Sequence, residues 1–274
     1  MKLDGDNMIK IIFSDMDGTL LDDNGNLPAG FDEMIGELKK RGVIFAPASG
    51  RQYFSLLKLF DKYKDDFLFI AENGTLVMYQ GEEIFSNPLT QKDADEVREV
   101  SKTLPNILRV FCGKKNAYIL KSQDTPEYNA ELQKYYTLHE AVETFEEVKD
   151  IPLKLAYFDI TGNATESIYK NLKHFNDHLQ VVSSSDYWVD VMNSDVDKGA
   201  AVKNVQQGLA ITPDECAAFG DYLNDVQMLQ SVTHSFAMSN AHPDLKKFAK
   251  YETVSNAEYG VLAGIKKLIK QGLI

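Results

Sequence analysis

Three apolar runs in this chain end at polar turns and give way to helical periodicity: residues 9–14 before Asp15-Met16-Asp17-Gly18-Thr19, 43–46 before Ser49-Gly50-Arg51, and 216–219 before Gly220-Asp221. Short continuous apolar runs of this kind read as strands buried on both faces. Strands alternating with helices build an open parallel sheet, and such sheets bind ligands at the carboxyl ends of their strands. Polar residues placed just past three separate strands are therefore expected to converge on one cleft. Asp197-Lys198-Gly199 opens a further helix, marked by Ala200, Val202 and Val205.

Asp15 and Asp17 are two apart, so an extended backbone would turn both toward one pocket. Neighbouring carboxylates repel unless a cation or a proton intervenes, so the pair suits either Mg²⁺ or a division into nucleophile and acid/base. A calcium loop counted from Asp15 would require Gly and Glu where this chain has Leu20 and Asn26. A lone Asp-x-Asp-Gly is more often an acidic turn; the ordered set of motifs is what favours a site. Asp221, past another strand, would add a third carboxylate to a hard-oxygen metal site. Asp225 alone reads as a first-turn residue favoured by the helix dipole. Ser49 and Gly50 at a strand-to-helix turn offer a hydroxyl and backbone N–H groups to an anion, or serve as an ordinary cap. Lys198 in isolation would be a solvated lysine; within the set it is the cation for a phosphate.

Taken together, Asp15-Met16-Asp17-Gly18-Thr19-Leu20-Leu21, Ser49, Lys198 and Gly220-Asp221-x-x-Asn224-Asp225 resemble the four motifs of the haloacid dehalogenase superfamily of aspartate-dependent phosphatases, and within it the Cof-type hydrolases. Ala237-Met238-Ser239-Asn240-Ala241 is similar to a stretch usually written Ala-Met-Gly-Asn-Ala, with Ser239 in place of the glycine, and Tyr259-Gly260-Val261 to a Gly-Val near the family's C-terminus. The resemblance covers residues 9–51 and 197–268. It implies that Asp15 is the nucleophile and Asp17 the general acid and base. It also implies Mg²⁺ held by Asp15, the Asp17 backbone carbonyl and Asp221, with Lys198 and Ser49 on the phosphate. Asn224 would position Lys198 or the phosphate, and Asp225 would stand behind the metal ligands. Arg51 would meet either the substrate or a structural carboxylate. The fold implied is α/β, a doubly wound (Rossmann-like) parallel sheet with an inserted α+β cap.

The division expected is a core from residues 1–82 and 188–274 with a cap over 83–187, where substrate choice would reside. In the core, a helix is predicted over 28–40 from Phe31, Ile35 and Leu38, strands over 67–71 and 235–238, and a hairpin turn at Asn73-Gly74. In the cap, helices are predicted over 92–104, 127–136 and 166–178 and strands over 108–112, 117–120 and 154–160. Strand 188–192 is expected to return to the core. Residues 1–7 read as a mobile extension. His139, His174 and His178 lack metal-ligand context, and a solvated helix face is the expected place for the last two.

A formal net charge of −12 argues against nucleic acid as a partner and against long-range attraction of anionic substrates. Two cysteines far apart in sequence, Cys112 and Cys216, read as buried thiols of a reducing cytoplasm. No apolar stretch is long enough to span a membrane, and none reads as a secretory signal. The function expected is Mg²⁺-dependent hydrolysis of small phosphorylated metabolites, sugar phosphates first, through an aspartyl-phosphate. The alternatives are a phosphomutase using the same Asp pair and a non-catalytic sugar-phosphate-binding regulator. Oligomeric state is not readable from the chain.

Overall fold

The computed structural model describes residues 8–274; the extension read at 1–7 lies outside them. The chain divides into two compact units, one comprising the chain up to Gly50, Lys62–Phe85 and Asp197–Ile274, the other Arg51–Asp61 and Ser86–Val196.

The first unit is built on a parallel sheet of five strands in the order Tyr251–Glu252, His234–Ala237, Cys216–Gly220, Ile11–Ser14 and Ile44–Pro47. Its central strands are buried along their whole length, as their unbroken apolar sequence requires when both faces are covered. Helix Phe31–Lys40 buries Phe31, Met34, Ile35 and Leu38, one stripe of the helical period, with Asp32 and Glu33 in its first turn and Lys39 and Lys40 in its last. It starts three residues later than the predicted position 28, because Gly30 takes a left-handed backbone (φ 82°) that no helix continues through. Helix Gly260–Lys270 buries Val261, Leu262, Ile265 and Leu268. Burying each such side chain contributes about 1.5–3 kcal/mol.

The Asn73-Gly74 turn joins Leu68–Ala71 to Leu76–Tyr79 as an antiparallel hairpin, which Glu82–Ser86 extends to three strands. The turn is a four-residue corner over 72–75 with positive φ at Glu72, Asn73 and Gly74.

The second unit carries a six-stranded sheet in the order Leu179–Ser183, Trp188–Asn193, Pro152–Phe158, Leu108–Gly113, Ala117–Leu120 and His139–Val142, antiparallel except for the last pair. Alternate residues feed two cores. Phe111, Leu155, Tyr157, Val189 and Val191 pack with Val97, Ile168 and Leu172 on one face. Val110, Cys112, Ala156, Phe158 and Trp188 pack with Leu132 and Tyr136 on the other. Trp188–Asn193 thus belongs to this sheet, paired on both sides, and does not lead back to the core as the sequence led us to expect. A buried strand of this sheet and a strand leading back to the core can share the same mostly apolar run, here Trp188-Val189-Asp190-Val191-Met192, so local pattern could not separate them. The helix read over 166–178 is present as an unbroken helical stretch whose pitch changes along it, wide at Thr165–Tyr169, α-helical at Lys170–Leu172 and tight at Lys173–Asp177. Cys112 and Cys216 are both buried, and no disulfide joins them. Among the described residues no helix is long and apolar enough to cross a membrane.

Candidate active site

The parallel register pairs Ser14 with Phe219 and with Pro47, so the residues that follow all three strands leave the sheet at one edge. Asp15 is the first residue past its strand. Its N–H donates to the Phe219 carbonyl at 3.0 Å, and its side chain is buried. The backbone then stops being extended: the Met16 carbonyl accepts from the N–H groups of Leu20 (3.0 Å) and Leu21 (2.9 Å). Asp17 therefore stands in a turn, bridged to Leu21 and exposed to solvent, and does not share a strand face with Asp15 as two-residue alternation predicted.

Lys198 begins helix Lys198–Gly208, whose start is fixed by the Asp197 carboxylate accepting from the Ala200 N–H at 2.7 Å. A side chain at Gly199 would collide with the backbone of Gln227, so glycine there lets this helix lie against Val226–Gln230. The Lys198 ammonium is 1% exposed and donates to Asp15 and, at 2.7 Å, to Asp225. The other Asp225 oxygen accepts from the N–H groups of Asp221 (3.0 Å) and Tyr222 (3.3 Å). Asp225 is fully buried and holds the lysine on one side and the Asp221 loop on the other. Carboxylate oxygens of Asp15, Asp221 and Asp225 come within 4.8 Å of one another.

This much negative charge in one buried place has a measurable cost. Burial first, then the Asp225 carboxylate, pushes the Asp15 carboxyl well above its ordinary range, against the pull of Lys198. Burial also raises Asp221, although Thr19 donates to it. The same carboxylates outweigh desolvation at Lys198 and raise its pKa.

Thr19, inside the first motif, has a role its sequence position does not reveal: its hydroxyl donates to Asp221 Oδ1 at 2.7 Å. Between Asp17 and Thr19, Gly18 has φ +78°, and a Cβ there would run into the Asp221 carboxylate. Gly18→Ala is expected to displace Asp221 and to lower turnover by roughly 10²-fold. The left-handed backbone adds about 1–2 kcal/mol of destabilisation. Steady-state kinetics beside a thermal melt measure both.

Ser49 is buried at the next strand edge; its N–H donates to Ile70 (2.9 Å) and its carbonyl accepts from Asn73 (3.0 Å). A Cβ at Gly50 would meet the Asn73 side chain, so the 72–75 corner packs against this turn. Arg51 is half-buried and is the first residue of the second unit's 51–61 segment. The Asn224 side chain is exposed and makes no bond to Lys198, which Asp15 and Asp225 hold instead. His178 lies 3.7 Å from Asp93 in an exposed group with Glu96, remote in sequence from every motif.

A family model described as haloacid dehalogenase-like hydrolase matches residues 12–265. The chain belongs to that family. Within it, the pattern is that of the Cof-type phosphatases. The Escherichia coli K12 protein named 5-amino-6-(5-phospho-D-ribitylamino)uracil phosphatase YbjI is 32% identical, over 96% of this chain and 97% of that one. A Bacillus subtilis protein of the same description, YcsE, is 26% identical over 94% and 95%. The crystal structure of SMU.1108c from Streptococcus mutans UA159 superimposes with a TM-score of 0.85 at 26% identity, covering 96% of this chain and 99% of that one. Like the two relatives named as phosphatases, the chain is a phosphatase.

Proposed function

We propose that this phosphatase hydrolyses small phosphate monoesters through a phosphorylated Asp15. The observation that supports it is the buried ammonium of Lys198 held against both Asp15 and Asp225, with Asp221 beside them. Asp15 attacks the phosphorus in line; a P–O bond forms to its carboxylate as the ester oxygen leaves, taking a proton from Asp17. Asp17 then removes a proton from water, which breaks the aspartyl-phosphate and releases inorganic phosphate with Asp15 restored. Lys198 sits where an anion must approach an anion, and Ser49 would donate to the transferring phosphoryl group.

The donor set fits Mg²⁺: oxygen ligands only, and a carboxylate group still short of positive charge beside Lys198, as the raised Asp15 and Asp221 carboxyls attest. Asp15, Asp221 and the Asp17 backbone carbonyl would hold it, and when bound it neutralises phosphate charge. Asp225, with both oxygens already engaged, stays behind them. Because folded-state burial raises Asp15 and Asp221, their contribution to metal-free stability is fullest below the ordinary carboxylate range and is lost as pH rises through the raised values. Magnesium binds the ionised form, so its effect runs the other way. Saturating Mg²⁺ at about 100 times its Kd is expected to add ~2.7 kcal/mol near pH 8 and progressively less toward pH 5. Asp221→Asn should lose most of the gain. Thermal melts with Mg²⁺ and with chelator, across that pH range, measure it.

Substrate choice falls to the inserted unit, Ser86–Val196. The phosphate carrier is a sugar or polyol, and the names of the E. coli and B. subtilis relatives put a phosphorylated ribitylaminouracil first in any panel. The test is phosphate release from sugar phosphates, nucleotides, flavin phosphates and that pyrimidine, with Mg²⁺ and with chelator. Metal-dependent release is expected. A hexose phosphate converted to its isomer without free phosphate would instead establish a mutase, and tight binding without turnover a regulator.

A further inference from the structure

We propose that Asn240 and Asn256 are positioning residues that fix the loop carrying Asp17. This rests on the reading of Asp17 as general acid. The loop from Met16 to Asp23 has no strand or helix to hold it, yet it must present the acid and the hydroxyl of Thr19 at constant positions. The N–H groups of Thr19, Leu20 and Leu21 return to the Met16 carbonyl, and further on those of Asn24 and Asn26 return to the Asp22 carboxylate.

Two amides from the other end of the chain close it from outside. Asn240 Nδ2 donates to the Gly18 carbonyl at 2.8 Å, on the peptide that joins Gly18 to Thr19. Asn256 Nδ2 donates to the Leu21 carbonyl at 3.0 Å and to Asp23 Oδ1 at 3.1 Å. The two are linked, because the Asn256 N–H donates to Asn240 Oδ1 at 3.1 Å. Leu21 is also the residue whose backbone bridges Asp17. The Asp17 turn is therefore gripped at both ends, one residue after it and four residues after it.

The Asn240 amide donates on one side and accepts on the other, and the Asn256 amide donates to two oxygens at once, which neither a carboxylate nor an alkyl side chain reproduces. Gly18 has the freest backbone in the loop, and apart from Asn240 its carbonyl is steadied by the long 3.4 Å bond of the Thr19 N–H to Met16 and by the contact of Thr19 with Asp221. Misplacing an acid by about 1 Å is enough to cost up to ~10²-fold in rate. That loss falls on leaving groups that need a proton and spares those that do not.

The test compares an alkyl phosphate with p-nitrophenyl phosphate for wild type, Asn240→Ala, Asn240→Asp and Asn256→Ala, with Asp17→Asn as the reference. Asn240→Ala is expected to lower kcat for the alkyl ester by ~10–10²-fold and for the aryl ester by less than about fivefold, with KM within about twofold. Asn240→Asp should be at least as slow, its carboxylate facing the Gly18 carbonyl. Asn256→Ala should show the same leaving-group bias, more weakly. Because Asn256 is buried and its variant can lose its fold, the decision rests on exposed Asn240, with thermal melts alongside. Equal losses on both esters, or an alkyl rate like wild type, would overturn the proposal. If Asp17→Asn itself slows both esters equally, it is the assignment of the acid that fails.

Discussion

Asp15→Asn is expected to reduce phosphate release by roughly 10⁴-fold or more at every substrate concentration, while the protein keeps its fold. The side chain is nearly isosteric, and Lys198 retains its bond to Asp225, so the buried ammonium is not orphaned. What is lost is the attacking oxygen. A variant that keeps substantial turnover in a Mg²⁺-supplied assay would rule out residue 15 as the nucleophile; circular dichroism and a thermal melt separate this from unfolding.

Lys198→Met is expected to have the largest effect on stability. The lysine donates to the Asp15 carboxylate, and it also answers Asp225, which is fully buried. Removing one member of a buried ion pair costs about 3–5 kcal/mol, because the surviving charge has neither water nor a counter-ion. Denaturation at pH 8 without metal should register that loss, together with near-complete inactivity. The deficit should narrow as pH falls toward 5. Asp15 already has a raised pKa with Lys198 present; without the cation it takes up a proton at still higher pH, and the neutral acid is tolerated where the carboxylate is not. A deficit that grows on acidification would contradict this account of the cluster. Mg²⁺ should restore part of the stability of the variant but not its turnover.

The parts of this molecule that were legible in the sequence are those where local pattern and tertiary role coincide. The strands Ile11–Ser14 and Cys216–Gly220 are apolar throughout because both of their faces are covered, and their ends are marked by Asp15 and Asp221. Lys198 could be placed because a helix begins at it. The errors arose where a residue's place depends on something distant in the chain. Trp188–Asn193 looks like any buried strand, and only its neighbours Leu179–Ser183 and Pro152–Phe158 decide which sheet takes it. Asp17 was given a strand's alternation, yet the hydrogen bonds to Met16 end the strand one residue before Asp15. Asn224 is expected at Lys198 or at the phosphate; on Lys198 the structure places Asp225, one residue later. Thr19 and Asn240 lie inside motifs, but their partners Asp221 and Gly18 are about two hundred residues away. No spacing rule reaches that far.

The most direct measurement of the central claim is chemical capture of the intermediate. Protein mixed with a turned-over phosphate ester is quenched in acid within milliseconds, reduced with borohydride and mapped by peptide mass spectrometry. An acyl phosphate at Asp15 is reduced to homoserine, so the peptide containing residue 15 is predicted to carry that change in wild type and not in Asp15→Asn. Steady phosphate release with no modified residue 15 at any quench time, or with the modification on another carboxylate, would contradict the account.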